Sequence, residues 1–178
     1  MSKTTKILIS GFGGQGILFA GKALAFTGLK SDMEVSWLPS YGPEMRGGTA
    51  SCSVTLSDTQ IGSPIVDKPS VLIAMNLPSL DKFGPVTEKG GKIIFDSSLI
   101  SDAKSFDGVD CVGIPATKMA SDNELGGLAN MIIIGKLLKE TGIFTLEQIE
   151  KSLAQMIPAK KAAMLEKNVQ AIKLGFNY

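Results

Sequence analysis

Two stretches of this chain combine residue types that can bind a ligand. The first, Gly11-Phe-Gly-Gly-Gln-Gly16, follows the apolar run Lys6–Ser10 and precedes a segment with helical spacing. Gly11, Gly13 and Gly16 fit the pattern G-x-G-x-x-G, in which bare backbone N–H groups at a helix start can hold a phosphate. Gly14 and Gln15 complete the loop, and a tight turn by itself has no need of a glutamine. The second stretch runs from Ser40 to Ala50 and contains Tyr41, Gly42, Pro43, Glu44, Arg46, Gly47 and Gly48. Tyr41-Gly42-Pro43 reads as one turn and Gly47-Gly48 as another, so Glu44 and Arg46 should ride on an exposed, constrained loop. One reading is a wide connection carrying a solvated charge pair. The other is that the Arg46 guanidinium presents its fork to a carboxylate, a phosphate or a partner chain. Both loops follow strands, so they can share one edge of a sheet, where binding sites are commonly built.

The glycine loop has three readings. Dinucleotide binding also wants an acidic residue about 20 positions on, at the end of the second strand. Glu34 has that spacing but opens its strand, and the strand's end, Trp37-Leu-Pro-Ser40, offers no ribose ligand. No Gly-Lys-Ser/Thr follows, so a Walker A loop is excluded. A purely structural turn under the first helix and a site for a phosphate or cofactor fragment both stay open.

What the chain lacks narrows its chemistry. There is no histidine, which removes the commonest general base and a favoured metal ligand. Cys52 and Cys111 are far apart and sit in apolar strand-like runs, so buried free thiols are expected, and two thiols cannot ligate a cluster alone. No residue is nominated as catalytic or as a metal ligand. The formal charge of +1 gives no footprint for nucleic acid or an anionic membrane. No apolar run is long enough to span a bilayer. The first residues enter a strand-like run at once, without a signal peptide, so a cytoplasmic location is expected.

The elements that must carry these loops follow from periodicity. Ile17–Lys30 places Leu18, Gly21, Ala25 and Gly28 on one face, the mark of a helix packed closely on a sheet. Met33–Leu38 reads as a second strand stopped by Pro39, and Thr49–Leu56 as a third that turns Ala50, Cys52, Val54 and Leu56 to one side. Their connection is too short for a parallel crossover, so an antiparallel pair is expected. Val71–Met75, Lys92–Phe95 and Val109–Ile114 read as further strands, with a short helix at Pro78–Phe83. Leu128–Lys139 is apolar nearly all round and should be a buried central helix. Thr145 and Gln148 form a capping-box start for a helix to about Met156. A last helix carries Leu165, Val169, Ile172 and Phe176. The fold class is α/β. One three-layer α/β/α domain over residues 1–178 is expected, with a mixed, mainly parallel sheet and a Rossmann-like first βα unit.

Together "ISGFGGQGILFAGKALA", "SYGPEMRGGTASCSV", "IGSPIV" and "LIAMNLPSLDKF" resemble the gamma subunit of 2-oxoacid:ferredoxin oxidoreductases, the family acting on pyruvate, 2-oxoglutarate and 2-ketoisovalerate. The likeness covers Ile9 to about Asp96, and the helical C-terminal half is compatible in length. The small subunit of indolepyruvate:ferredoxin oxidoreductase shares the glycine loop and Arg-Gly-Gly but differs before the arginine. A stand-alone NAD- or FAD-binding oxidoreductase is the other alternative.

The resemblance implies membership in a complex that oxidatively decarboxylates a 2-oxo acid to acyl-coenzyme A and carbon dioxide and reduces ferredoxin. It favours 2-oxoglutarate or a branched-chain acid, with pyruvate next. Thiamine diphosphate and magnesium would be held by alpha and beta subunits, and iron–sulfur clusters by the beta subunit or a small delta subunit. This chain would hold none of these cofactors alone and would be inactive by itself. Gly11, Gly13, Gly14, Gln15, Gly16 and Arg46 are the expected cofactor-binding residues, with Gly13, Gly14 and Gln15 offering backbone and amide donors and Arg46 binding a phosphate of coenzyme A or anchoring the interface. Tyr41, Gly42, Pro43, Glu44, Arg46, Gly47 and Gly48 would face the substrate or a partner subunit.

Overall fold

The computed structural model describes residues 4–41, 48–102 and 104–178. The first strand, β1 (Thr4–Phe12), lies inside a six-stranded sheet that also contains β2 (Glu34–Tyr41), β3 (Thr49–Ser57), β4 (Val71–Ala74), β5 (Lys92–Asp96) and β6 (Asp110–Ile114). The strand order is β2-β3-β1-β4-β5-β6. β3 runs antiparallel to both β1 and β2, while β1, β4, β5 and β6 pair in parallel. The expected mixed, mainly parallel sheet and the antiparallel β2–β3 junction are therefore both present.

The two faces of the sheet bury two apolar clusters. One gathers Ile7, Ile9, Val71, Ile73 and Ile94 with the helices α1 (Ile17–Lys30), α4 (Ala129–Thr141), α5 (Leu146–Met156) and α6 (Ala162–Asn177). The other gathers Leu8, Leu72, Ile93 and Phe95 beneath α2 (Leu77–Phe83). Alternate residues of one strand feed opposite clusters, as the pleat requires. β4 is buried along its whole length, which explains its unbroken apolar sequence.

Small residues let α1 approach the sheet. A side chain on Gly21 would strike the Cys52 sulfur, and one on Gly28 would strike Leu56. The α4–α6 crossing is closer still. A Cβ on Gly135 would run into the carbonyl of Ile172, and one on Gly175 into the carbonyl of Ile132. Asn130 to Leu138 are buried without interruption, so α4 is the central helix its sequence announced. The Thr145 and Gln148 capping box is formed in both directions at the start of α5.

Four expectations change. Pro39 does not stop β2, which continues to Tyr41 with Pro39 opposite Cys52. β2 is an edge strand, so a proline can stay in it with its missing N–H turned outward. β1 does not end at Ser10 but runs through Gly11 and Phe12, opposite Ala50 and Thr49, so Gly11 is a strand residue. A short helix, α3 (Ala116–Asp122), follows β6 where no element was expected. Seven residues give too few turns for a periodic signal. Finally, Cys111 is half-buried where a buried thiol was expected, because β6 forms the other sheet edge, whereas Cys52 is buried.

Candidate functional site

The chain steps leftward from β1 to β3 and β2, and rightward to β4, β5 and β6. Between β1 and β4 the connections diverge, and such a switch point leaves a crevice at the carboxyl ends of the strands. A cavity of about 420 Å³ opens there. Gly14 and Gln15 come from the end of β1, Met75 from the end of β4, Thr117 from α3, and Gly126 and Gly127 from the approach to α4. Among the described residues no charged side chain lines it. Side chains added at Gly14 or Gly126 would meet open space, so bare backbone faces the cavity from two sides.

The glycine loop is shaped by its own hydrogen bonds. The Phe12 N–H donates to Gln15 Oε1 at 2.6 Å, and Gln15 Nε2 donates to the Met75 carbonyl at 3.1 Å. Gln15 thus ties the ends of β1 and β4 together across the switch point. A side chain on Gly11 would overlap that same amide and Met75, which is why the strand narrows to glycine there. Gly14 and Gly16 have positive φ, 95° and 73°, a conformation that favours glycine. Gly16 is the N-cap of α1, which has no side-chain cap and no acidic residue in its first turn.

Asn130, absent from the sequence expectations, holds this corner from α4. Its Nδ2 donates to the Gly16 carbonyl at 3.0 Å, and a Cβ at Gly16 would collide with it. Asp96 is a second such residue. It is fully buried at the end of β5, and its carboxylate accepts from the N–H groups of Ser98 and Thr117 and from the Thr117 hydroxyl at 2.5 Å. It fixes α3 against the sheet and so sets one wall of the cavity. A polar residue ending an apolar strand was the available signal for Asp96. Asn130 sits inside an apolar run, where only the fold gives it a partner.

The two motifs come together at their described ends. Register places Gly11, Ala50 and Tyr41 across from one another, and the Gly13 N–H donates to the Gly48 carbonyl at 2.9 Å. Gly42, Pro43, Glu44, Arg46 and Gly47 lie outside the described residues. Glu34 opens β2 opposite Ser57, at the far end of the sheet. Seven residues of extended chain put it roughly 23 Å from the crevice, out of reach of a ribose bound there.

The thiols are unsuited to nucleophilic work. Burial pushes the Cys52 thiol up to about 12, and its sulfur faces the Ile17 carbonyl. Burial also raises the Cys111 thiol. Among the described residues no group of three or more His, Cys, Asp and Glu converges. The described helices include none long and apolar enough to cross a membrane.

Comparison with known proteins identifies the family and the fold. Residues 6–178 match the family model for pyruvate ferredoxin/flavodoxin oxidoreductase. The chain is 35% identical to the 2-oxoglutarate synthase subunit KorC of Methanocaldococcus jannaschii, over 96% of this chain and 91% of that one. It is 38% identical to the ketoisovalerate oxidoreductase subunit VorA of Methanothermobacter thermautotrophicus, over 96% of this chain but only 35% of VorA. The chain thus spans little more than a third of the ketoisovalerate relatives it matches. The keto/oxoacid ferredoxin oxidoreductase gamma subunit of Geobacter sulfurreducens superposes with a TM-score of 0.85 at 25% identity, covering 98% of this chain and 95% of that one. With the family match running from the first strand through the last helix, this chain belongs to the pyruvate ferredoxin/flavodoxin oxidoreductase family.

Proposed function

We propose that this chain is the gamma subunit of a 2-oxoacid:ferredoxin oxidoreductase, with residues 1–178 working as one gamma-type domain. The observation that carries this is the near full-length match to KorC, a 2-oxoglutarate synthase subunit of about the same extent. The complex would oxidise 2-oxoglutarate or a branched-chain 2-oxo acid, with pyruvate next, giving acyl-coenzyme A, carbon dioxide and reduced ferredoxin. Its partners are alpha and beta subunits, with or without a delta subunit, and a cytoplasmic location goes with that role.

Thiamine diphosphate with magnesium, and iron–sulfur clusters, would supply decarboxylation and electron transfer from those partners. The described residues here include no converging ligand set for a metal. The contribution of this chain is binding and orientation. The crevice, whose described walls are uncharged and include bare glycine backbone, suits the uncharged part of a coenzyme A molecule or an apolar side chain of a partner. The Gly13 N–H and the Gln15 amide are engaged inside the chain. A phosphate would therefore draw mainly on Gly14, Gly16 and the first turn of α1, where an uncapped helix start favours an anion. Gly11 supports that loop from the strand. Arg46, in the stretch from Tyr41 to Gly48, would bind a coenzyme A phosphate or anchor the subunit interface.

Co-purification of the tagged chain with thiamine-dependent subunits from its own cell tests the assignment. A chain that elutes alone and binds NAD or FAD would overturn it. In the reconstituted complex, assays over a panel of 2-oxo acids identify the substrate. Arg46→Ala should raise the KM for coenzyme A or loosen the complex, and unchanged kinetics with unchanged co-elution would remove Arg46 from either role.

A further inference from the structure

A second hollow lies at the same end of the sheet as the crevice but is built from different residues. Its volume is about 150 Å³. Hydroxyl residues from four elements line it: Ser10 on β1, Ser40 on β2, Thr49 and Ser51 on β3, and Ser79 on α2. Pro78, Lys82 and Phe83, also on α2, complete the described part of the wall. Ser10, Ser51 and Ser40 sit directly opposite one another in the strand register, so the sheet sets three of the hydroxyl residues in one row. Because side chains alternate across the sheet, Ser10 projects away from the cluster that buries Ile9.

Among the described residues no carboxylate lines the hollow, and Lys82, whose ammonium lies 5.0 Å from the centre of the Phe83 ring, makes no ion pair. Ser10 and Ser79 are buried, at 1% and 3% exposure, and their hydroxyls hydrogen-bond at 2.9 Å. Burying two hydroxyls where a pair of alanines would pack costs free energy unless they are satisfied, and here each partners the other. The outer hydroxyl residues Ser40, Thr49 and Ser51, with the Lys82 ammonium, leave donors at the mouth. Hydroxyl donors with one ammonium and no competing carboxylate suit an oxyanion. The volume admits a phosphate or carboxylate group and is too small for a nucleoside.

We propose that this hydroxyl-lined hollow is an oxyanion site, separate from the crevice and independent of the assignment as a gamma subunit. The oxyanion is the phosphate of a small molecule or the carboxylate of an acid or peptide, and Lys82 with Ser51 sets its affinity. The test is titration of the purified full chain with inorganic phosphate, and separately with acetate, followed by amide chemical shifts. Saturable shifts gathered at Ser10, Ser51, Ser79 and Lys82 are the expected result. Stronger binding of phosphate assigns the first source, and stronger binding of acetate the second. Lys82→Met and Ser51→Ala should each weaken binding about tenfold, the loss of one charge-assisted or hydroxyl hydrogen bond. Lys82→Arg should restore most of the affinity, and Lys30→Met, on an exposed turn of α1, should leave it unchanged. Both test positions are at least partly exposed, so the variants should fold, and thermal unfolding checks this. Non-saturating shifts spread over many lysines, or full affinity in Lys82→Met and Ser51→Ala, would overturn the site.

Discussion

The glycines of the α4–α6 contact and those of the crevice occupy opposite physical situations. Gly135 and Gly175 are glycine because another backbone occupies the place of the missing side chain. Gly14 and Gly126 face open space, and of these only Gly14 is constrained by a positive φ. The first pair closes a core. The second pair leaves a wall bare. An identical residue type therefore marks stability in one region and access in the other, and substitutions should separate the two.

The largest effect belongs to the helix contact. Gly135→Ala or Gly175→Ala should destabilise the chain by about 3 kcal/mol, since a backbone carbonyl cannot move aside as a side chain can. Urea unfolding measures this, and a loss below half that size would mean the helices slide apart easily. Next comes the tie across the switch point. Gln15→Leu leaves the Phe12 N–H and the Met75 carbonyl without their partner and should cost about 2 kcal/mol. If stability held while activity of the complex fell, Gln15 would belong with the ligand-facing residues instead.

A smaller effect is expected at the opposite end of the sheet, where Glu140 bonds Lys136 at 3.0 Å and Lys92 at 3.1 Å. The Lys136 hydrogen bond, then that of Lys92, holds the Glu140 carboxyl below its usual range. Its stabilisation is therefore present above the ordinary glutamate value of about 4.3 and lost as pH falls through the lowered folded value. Glu140→Gln should cost about 1 kcal/mol near neutral pH, and the difference in Tm should vanish in acid. Lys92, whose pKa is raised chiefly by its hydrogen bond to Asp110, behaves in the reverse sense. Its contribution is complete below the ordinary lysine value of about 10.4 and fades as pH rises through the higher folded value.

The smallest change in stability is expected at the crevice. Gly126→Val should leave unfolding within about 0.5 kcal/mol of the unaltered chain, because its side chain enters empty space. In the assembled complex it should nonetheless raise the KM for coenzyme A or weaken subunit association. Unchanged kinetics and assembly would show that the crevice takes no part in either.

Much of the fold was legible because local pattern and tertiary environment agree. Ile17–Lys30 reads as a helix from its small-residue face, and that face meets Cys52 and Leu56 as closely as the spacing suggests. Thr145 and Gln148 announce α5 through chemistry complete within one turn. Pro39 misled because the cost of a proline in a strand depends on whether the strand is an edge, a property of the sheet order. Gln15 is more than a turn requires, but its two partners, the Phe12 N–H and the Met75 carbonyl, come from the ends of separate strands. Asn130 could not have been foreseen, since the Gly16 carbonyl it binds lies 114 residues away.

By itself the sequence determined the α/β class, the run of elements and the two motifs, because apolar periodicity, caps and glycine spacing act over a few residues. It also removed the commonest general base, since the chain has no histidine, and it placed the two cysteines far apart. Only the tertiary structure decided which groups meet. Pairing β1 with β4 in parallel and with β3 in antiparallel opened the crevice at their divergence. The strand register brought Ser10, Ser51 and Ser40 into one row. Both results depend on contacts between distant segments, whose geometry no local pattern encodes.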